Sequence, residues 1–89
     1  MAIGIYFPVQ GMTPDTYQRA HAKLEEIGQG SPEGRMSHTG FLVEGSVQVF
    51  DVWESQEAFE AFGAHLGPIL AELGADTGQP VMGEVQMIR

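Results

Sequence analysis

His38 and Asp51 are the residues of this sequence whose types and positions most suggest chemistry. Both lie in the stretch "SHTGFLVEGSVQVFDVWES", residues 37–55, which is otherwise rich in apolar residues, and Trp53, the only tryptophan, follows Asp51 by two positions. The β-branched and aromatic residues on either side of "EG" predict two strands joined by a tight turn. Strands this apolar usually belong to a core, so an ionisable residue in each of them needs an explanation.

The position of the turn determines which residues of the two strands face each other. If the chain turns at residues 44–45, His38 lies opposite Asp51, and both side chains point to the same side of the sheet. Their Cβ atoms would then be about 4.5–5.5 Å apart. The same register predicts three further pairs on that side: Leu42 with Val47, Gly40 with Val49, and Met36 with Trp53. A β-bulge in either strand would change this pairing.

A carboxylate beside an imidazole is a chemically useful pair. The carboxylate favours the imidazolium form and fixes one ring nitrogen as a donor, so Asp51 would orient His38 for proton transfer. Two buried polar residues can equally satisfy each other and serve only the structure. A metal site is the third interpretation, but none is expected, because the three histidines have no metal-ligand spacing.

The residues around this pair are expected to form a small pocket for a flat, partly aromatic molecule. Gly40 would leave empty volume beside the pair, and Met36 and Trp53 would supply apolar walls. His65 borders the apolar stripe of the second predicted helix. The sequence does not determine on which face of the sheet Tyr6 lies. The candidates for ligand contact are Trp53, Met36, Gly40, Phe62, His65 and Tyr6.

The composition limits the classes of function. The chain has 89 residues, 43% of them hydrophobic, no cysteine, and a net charge of −8. These values predict one globular domain, residues 1–89, without disulfides, thiolate metal sites or cysteine nucleophiles. Its acidity argues against a nucleic-acid partner. The N-terminal apolar run is too short for a signal peptide or a membrane span, which favours a cytoplasmic protein.

The order of the predicted elements is β-α-β-β-α-β. Residues 2–9 predict the first strand, Thr13 the cap of the first helix, and residues 81–88 the last strand, while Gly67-Pro68 predicts a kink or break in the second helix. This order is that of the ferredoxin-like α+β fold, in which two helices cover one face of a four-stranded antiparallel sheet. The strands carry apolar residues on both faces, so a second copy of the chain is expected on the other face, in a homodimer.

Three segments resemble a known family. They are "QGMTPDTY" at residues 10–17, "VWESQEAF" at residues 52–59, and "LGPILAELG" at residues 66–74. Together they are similar to small members of the antibiotic biosynthesis monooxygenase-like family of the dimeric α/β-barrel superfamily. The resemblance covers nearly the whole chain at the level of pattern, and "VWESQEAF" is its most specific part.

The resemblance implies a homodimer whose two sheets form a central barrel, with a pocket in each subunit. Characterised relatives include cofactor-independent oxygenases acting on polycyclic phenols and haem-degrading enzymes, in which a tryptophan and an asparagine are important. Trp53 matches the tryptophan, but the chain contains no asparagine. The histidine of the haem-degrading relatives falls at Gly63, two residues before His65. The resemblance therefore implies no haem and no other cofactor.

The main hypothesis is a small-molecule-binding homodimer that acts as a cofactor-independent monooxygenase on a planar phenolic or polyketide-like compound. His38 would take a proton from the phenol, Asp51 would orient His38, and Trp53 with Met36 would hold the ring. A proton-transfer isomerase or cyclase using the same pair is an alternative. A non-enzymatic binding or structural dimer is another.

Overall fold

The computed structural model describes residues 2–89; Met1, with which the predicted domain begins, lies outside them. The described elements have the predicted order. They are β1 (Ile3–Phe7), α1 (Pro14–Glu26), β2 (Arg35–Val43), β3 (Ser46–Trp53), α2 (Gln56–Glu72) and β4 (Val81–Glu84). The four strands form one antiparallel sheet in the order β2-β3-β1-β4, which confirms the ferredoxin-like fold.

Local sequence explains where the helices begin. The side chain of Thr13 accepts a hydrogen bond from the backbone N–H of Thr16, and Pro14 follows as the first helical residue of α1. Proline fits there because the first turn of a helix leaves its N–H groups without helical partners. Ser55 caps α2 in the same way, by accepting from the N–H of Ala58. Both helices therefore start where the capping residues predict.

The turn between β2 and β3 confirms the predicted register over most of the hairpin. Glu44 and Gly45 both have positive φ, 48° and 83°, as a type I′ turn requires. The strands pair His38 with Asp51, Gly40 with Val49, Leu42 with Val47 and Val43 with Ser46. The predicted neighbours His38 and Asp51 are thus direct cross-strand partners.

The predicted pairing of Met36 with Trp53 is wrong, because the register shifts between Arg35 and Ser37. Arg35 lies opposite Trp53, and Met36 is the extra residue of the irregularity, with 57% of its surface exposed. A β-bulge inserts one residue into one strand and changes the direction of the neighbouring side chain. It brings Arg35 to the helix side of the sheet.

Three other boundaries also differ from the predictions. The first strand, expected over residues 2–9, is shorter and runs from Ile3 to Phe7. The sequence predicted a kink or a break at Gly67-Pro68; the helix α2 continues through both residues as one element, so a break there is wrong. The last strand, expected over residues 81–88, ends at Glu84, and its four residues are exposed rather than forming a well-buried face. It is an edge strand that pairs only with β1, which explains its short ladder.

The core lies between the sheet and the helices. Ile5 and Trp53 are fully buried there, and Leu24 of α1 and Phe62 of α2 pack into the same cluster. The opposite face of the sheet leaves large apolar side chains exposed. None of the helices within residues 2–89 is long and apolar enough to cross a membrane.

Candidate functional site

Four side chains form one hydrogen-bonded series on the helix side of the sheet. The indole Nε1–H of Trp53 donates to Asp51 Oδ2 at 3.2 Å, and Asp51 Oδ1 lies 2.6 Å from His38 Nδ1. On the other side of the imidazole, His38 Nε2 lies 2.7 Å from the hydroxyl oxygen of Tyr17. We call this series, Trp53–Asp51–His38–Tyr17, the polar relay.

The polar relay has a consistent assignment of protons. An ionised Asp51 accepts from the Trp53 indole and from the Nδ1–H of His38, which leaves Nε2 of the neutral imidazole as an acceptor. Tyr17 then donates its O–H to Nε2. Burial, followed by the negative charge of Asp51, raises the pKa of Tyr17 above its ordinary value of 10.0, against an opposing effect of Arg35. Tyr17 therefore stays protonated at neutral pH and is a hydrogen-bond donor.

Gly40 makes room for the Tyr17 hydroxyl. A Cβ atom at this position would lie 2.6 Å from Tyr17 Oη and 2.9 Å from Cζ. The empty volume that the sequence predicts beside Gly40 is thus occupied by the end of a tyrosine from α1. A glycine inside a strand often marks such a close approach.

His21 of α1 lies against the outer end of the polar relay. Its ring meets Tyr17 edge-on at 4.5 Å between centroids and is 5.2 Å from the ring of His38. Burial, followed by the charges of His38 and Arg35, lowers the pKa of His21 below its ordinary value of 6.5, with smaller opposing effects of Glu25 and Asp51. His21 is therefore neutral at neutral pH.

The polar relay opens on a cavity of about 70 Å³ between the sheet and the helices. Its walls are mainly apolar, and their polar side chains are those of Tyr17, His21, Arg35, His38, Asp51 and Thr77. One water needs roughly 10–15 Å³ of such space, and an apolar cavity that holds benzene measures about 150 Å³, so this cavity has room for a few waters. Apolar walls with a few converging polar groups are typical of small-molecule sites.

The structure brings some of the predicted site residues to this cavity and places others elsewhere. His38, Asp51 and Phe62 line it, and Gly40 lies directly behind Tyr17. Trp53 is 0% exposed and packs behind the wall, where its ring contacts Phe59 and Phe62. Its position suits orientation of Asp51 rather than contact with a ligand.

Three predicted residues lie away from the cavity. Met36 is exposed on the bulge. Tyr6 is on the opposite face of the sheet, because side chains alternate along a strand and its neighbour Ile5 points into the core. There the ring of Tyr6 stacks on Phe41 at 6.5 Å between centroids, and its hydroxyl donates to Gln48. His65 lines a second pocket, of about 320 Å³, together with Glu33 and Glu54. Within residues 2–89, no group of three or more histidine and acidic side chains is placed to hold a metal ion.

Sequence reasoning missed three residues of the site. Tyr17 was not among the predicted site residues, and the signal for its role was Gly40 in the facing strand. His21 carried no distinguishing signal beyond its position one helical turn after Tyr17. Arg35 was hidden by the bulge, for which the sequence "RMSHT" contains no marker.

Comparisons with known proteins identify the same fold in solved structures. SnoaB, a cofactor-independent oxygenase from Streptomyces nogalater, is 15% identical and superposes with a TM-score of 0.61 over 98% of this chain and 92% of its own. Protein YJCS is 14% identical and superposes with a TM-score of 0.59 over 96% of this chain and 96% of its own. A protein from Caulobacter crescentus, provisionally described as an antibiotic biosynthesis monooxygenase, is 12% identical. It superposes with a TM-score of 0.54 over 99% of this chain and 89% of its own. No protein-family model matches the chain, and a search of curated proteins finds no match.

Proposed function

We propose that this chain, with its ferredoxin-like fold, is a cofactor-independent monooxygenase for a planar phenolic or polyketide-like compound that binds in the cavity beside the polar relay. The observation that supports the proposal most directly is the hydrogen-bonded continuity from buried Trp53 and Asp51 through His38 to Tyr17 at an apolar cavity. SnoaB, which shares the fold, is described as a cofactor-independent oxygenase. Since one fold hosts many functions, the proposal depends on the site rather than on that likeness.

The proton leaves the ligand by way of Tyr17. Both nitrogens of His38 are occupied, Nδ1 by Asp51 and Nε2 by Tyr17, so the phenol of a bound ligand meets the Tyr17 hydroxyl first. The ligand gives its proton to Tyr17 Oη while Tyr17 gives its own to His38 Nε2. Asp51 stabilises the imidazolium that forms, and Trp53 holds the other carboxylate oxygen in place.

The phenolate is then electron-rich enough to react with O2 directly. One oxygen atom bonds to a ring carbon, which loses its hydrogen, and the second oxygen atom leaves as water with that hydrogen and the phenolic proton. A phenol with a free ortho or para position thus becomes a quinone and one water is released, with O2 as the oxidant. The surrounding apolar walls keep water from the reacting anion.

The size of the cavity bears on the ligand. A volume of about 70 Å³ is about half that of an apolar cavity that holds benzene, so an aromatic ligand must displace part of the wall when it binds. Thr77 belongs to the segment between α2 and β4, in which residues 75–80 are neither helix nor strand. We place the extension of the cavity for a polycyclic ligand at this segment.

A homodimer completes the proposed protein. Phe41, Phe50 and Val81 are 41%, 43% and 60% exposed, and they share the sheet face opposite the helices with Tyr6. An apolar sheet face of this kind is suited to burial against a second copy of itself through a two-fold axis. Sedimentation of Phe50→Asp as a monomer, with Ile27→Asp remaining a dimer, is the expected result; a monomeric wild-type protein would contradict it.

The experiment that tests the activity compares variants of the polar relay with a control variant outside it. Oxygen uptake and product mass are measured with a panel of naphthols and hydroxyanthracenes for the wild type, His38→Ala, Tyr17→Phe and the control His65→Ala. We expect turnover in the wild type and in His65→Ala, and a loss of about 100-fold or more in His38→Ala and in Tyr17→Phe, because both variants interrupt the proton transfer. Full turnover in His38→Ala would refute the proposal. Product formation without oxygen uptake would favour an isomerase or cyclase that uses the same residues.

One observation favours a second candidate, a non-enzymatic binding dimer. Among the described residues, every buried side-chain nitrogen and oxygen atom has a hydrogen-bond partner, so the polar relay is satisfied without a ligand. This candidate predicts that His38→Ala lowers stability and that none of the phenols is turned over.

A further inference from the structure

Arg35 faces the cavity only because of the irregularity in β2. In β2 the residues on the helix side are His38, Gly40 and Leu42, and an unbroken alternation would point Arg35 to the opposite face with Ser37. The extra residue at Met36 instead sets Arg35 opposite Trp53, so that it lines the cavity. Bulges are over-represented beside functional sites, where they change the direction of one side chain.

The local structure holds the Arg35 side chain in place. Its Nη2 donates to the carbonyl of Gly30 at 3.1 Å, and its guanidinium lies 5.9 Å from the centre of the Phe62 ring. Gly34, just before it, has φ of 91° and so little space that a Cβ would lie 2.6 Å from the Cβ of Ala58. The chain therefore accepts a glycine-only conformation to bring this strand end against α2.

Arg35 differs from Arg19 and Lys23, two of the other three Lys and Arg residues; the third, Arg89, is exposed and likewise forms no salt bridge among the described residues. Arg19 pairs with Asp15 at 2.9 Å and Lys23 pairs with Glu72 at 3.0 Å, both at the surface. Arg35 is half-buried, yet it forms no salt bridge with any carboxylate in residues 2–89. Within the described residues, the guanidinium of Arg35 donates one hydrogen bond, to the carbonyl of Gly30, so its other N–H groups are available to a ligand.

A half-buried cation that lines an apolar cavity and lacks a carboxylate partner is suited to an anion from outside. The planar guanidinium presents parallel N–H groups that match the two oxygens of a carboxylate. Its charge also acts on the polar relay, where it opposes the rise in the pKa of Tyr17. Arg35 and Tyr17 therefore belong to the same ligand-binding space.

We infer that Arg35 binds the carboxylate of the ligand, so that the ligand is a planar phenolic acid with its hydroxyl at Tyr17 and its carboxylate at Arg35. The inference rests on the proposed function and narrows its substrate class. The ligand is held at two points, and this fixes which ring position faces O2. The net charge of −8 does not attract such an anion from a distance, so the discrimination belongs to Arg35 itself.

The test compares acids with their neutral amides by isothermal titration calorimetry. The probes are 6-hydroxy-2-naphthoate beside 6-hydroxy-2-naphthamide, and 4-hydroxybenzoate beside 4-hydroxybenzamide, which differ within each pair mainly in charge. The proteins are the wild type, Arg35→Gln, and the control Arg19→Gln, which removes the same charge from an exposed pair outside the cavity. Unfolding followed by Trp53 fluorescence verifies that each variant is folded.

We expect at least one acid to bind the wild type and Arg19→Gln about 10-fold or more tightly than its amide, the range of a hydrogen bond to a charged group. Arg35→Gln should bind acid and amide about equally. Equal affinity of acid and amide in the wild type, or a preference that survives in Arg35→Gln, would overturn the inference. If Arg35→Gln does not fold, Arg35→Met replaces it, and an undiminished preference for the acid in that variant would overturn the inference.

The failures of the two proposals are distinguishable. Acid and amide that bind equally, and both more weakly to His38→Ala, would overturn the role of Arg35 and leave the proposed function standing. No binding by any probe to the folded wild-type protein would overturn both.

Discussion

Gly40→Ala is the substitution that tests the geometry of the polar relay most sharply. The added Cβ would lie 2.6 Å from Tyr17 Oη, whereas ordinary contact begins at 3.4 Å, so the hydroxyl has to retreat by about 0.8 Å. Its hydrogen bond to His38 Nε2, now 2.7 Å, would then lengthen to the limit of a real bond. The substitution thus disrupts the relay without removing any of its polar atoms.

The expected cost follows from three effects. Loss of the hydrogen bond costs about 0.5–1.5 kcal/mol, and overpacking typically costs about 1–3 kcal/mol. Alanine is favoured over glycine inside a strand by roughly 0.5–1 kcal/mol, which partly offsets these costs. We expect the free energy of unfolding to fall by about 1–3 kcal/mol.

Urea unfolding followed by Trp53 fluorescence measures this change, because Trp53 is the only tryptophan and is fully buried. Gly63→Ala is the matched control: it lies in α2 with nothing within 4 Å of its added Cβ, and it should stabilise the protein by about 0.5–1 kcal/mol. In a Tyr17→Ala background the cost of Gly40→Ala should vanish. An unchanged stability of Gly40→Ala, or the same cost in both backgrounds, would refute the reasoning.

Three further predictions concern neighbouring groups. The hydroxyl of Ser46 accepts a hydrogen bond from the N–H of Met12 and donates one to the carbonyl of Val9. Ser46→Ala should therefore lower the free energy of unfolding, measured by urea titration, by about 1–3 kcal/mol. If Ser46→Ala costs less than the same substitution at an exposed serine, the prediction is wrong. Because the pKa of His21 is lowered on folding, the unfolded chain binds more protons below about pH 6.5, and the free energy of unfolding should fall as the pH drops there. The free energy of unfolding of His21→Gln should fall less over the same pH range, and an equal fall in both proteins would contradict this prediction. Tyrosinate absorbance should place the titration of Tyr17 above its ordinary pKa of 10.0, higher again in Arg35→Gln, and a titration at or below that value would contradict the assignment.

The sequence was sufficient for the fold and for the central pair of the site. Tight-turn chemistry at Glu44 and Gly45 determines the register, and because side chains alternate along a strand, that register alone places His38 beside Asp51. The caps at Thr13 and Ser55 likewise depend on local chemistry that the sequence contains. These features could be predicted because each is decided within a few residues.

The rest of the site depends on tertiary packing. The bulge at Met36 follows Gly34, which lies against Ala58 of α2, a contact that no local pattern indicates. Tyr17 reaches His38 across the space between α1 and the sheet, and only Gly40 gave a hint of that approach. The continuation of α2 through Pro68 is a further case in which packing outweighs a local preference.

The most direct test of the account is the state of His38 Nε2 in the presence of a ligand. Nitrogen-15 NMR distinguishes an Nε2 that accepts a hydrogen bond from one that carries a proton, and it does so for a single histidine when His21 and His65 are replaced one at a time for assignment. The account predicts a neutral His38 with its proton on Nδ1 in the free protein and a saturable change at Nε2, toward the protonated form, as a planar phenol fills the cavity. A phenol that binds by calorimetry and leaves the Nε2 resonance unchanged would contradict it.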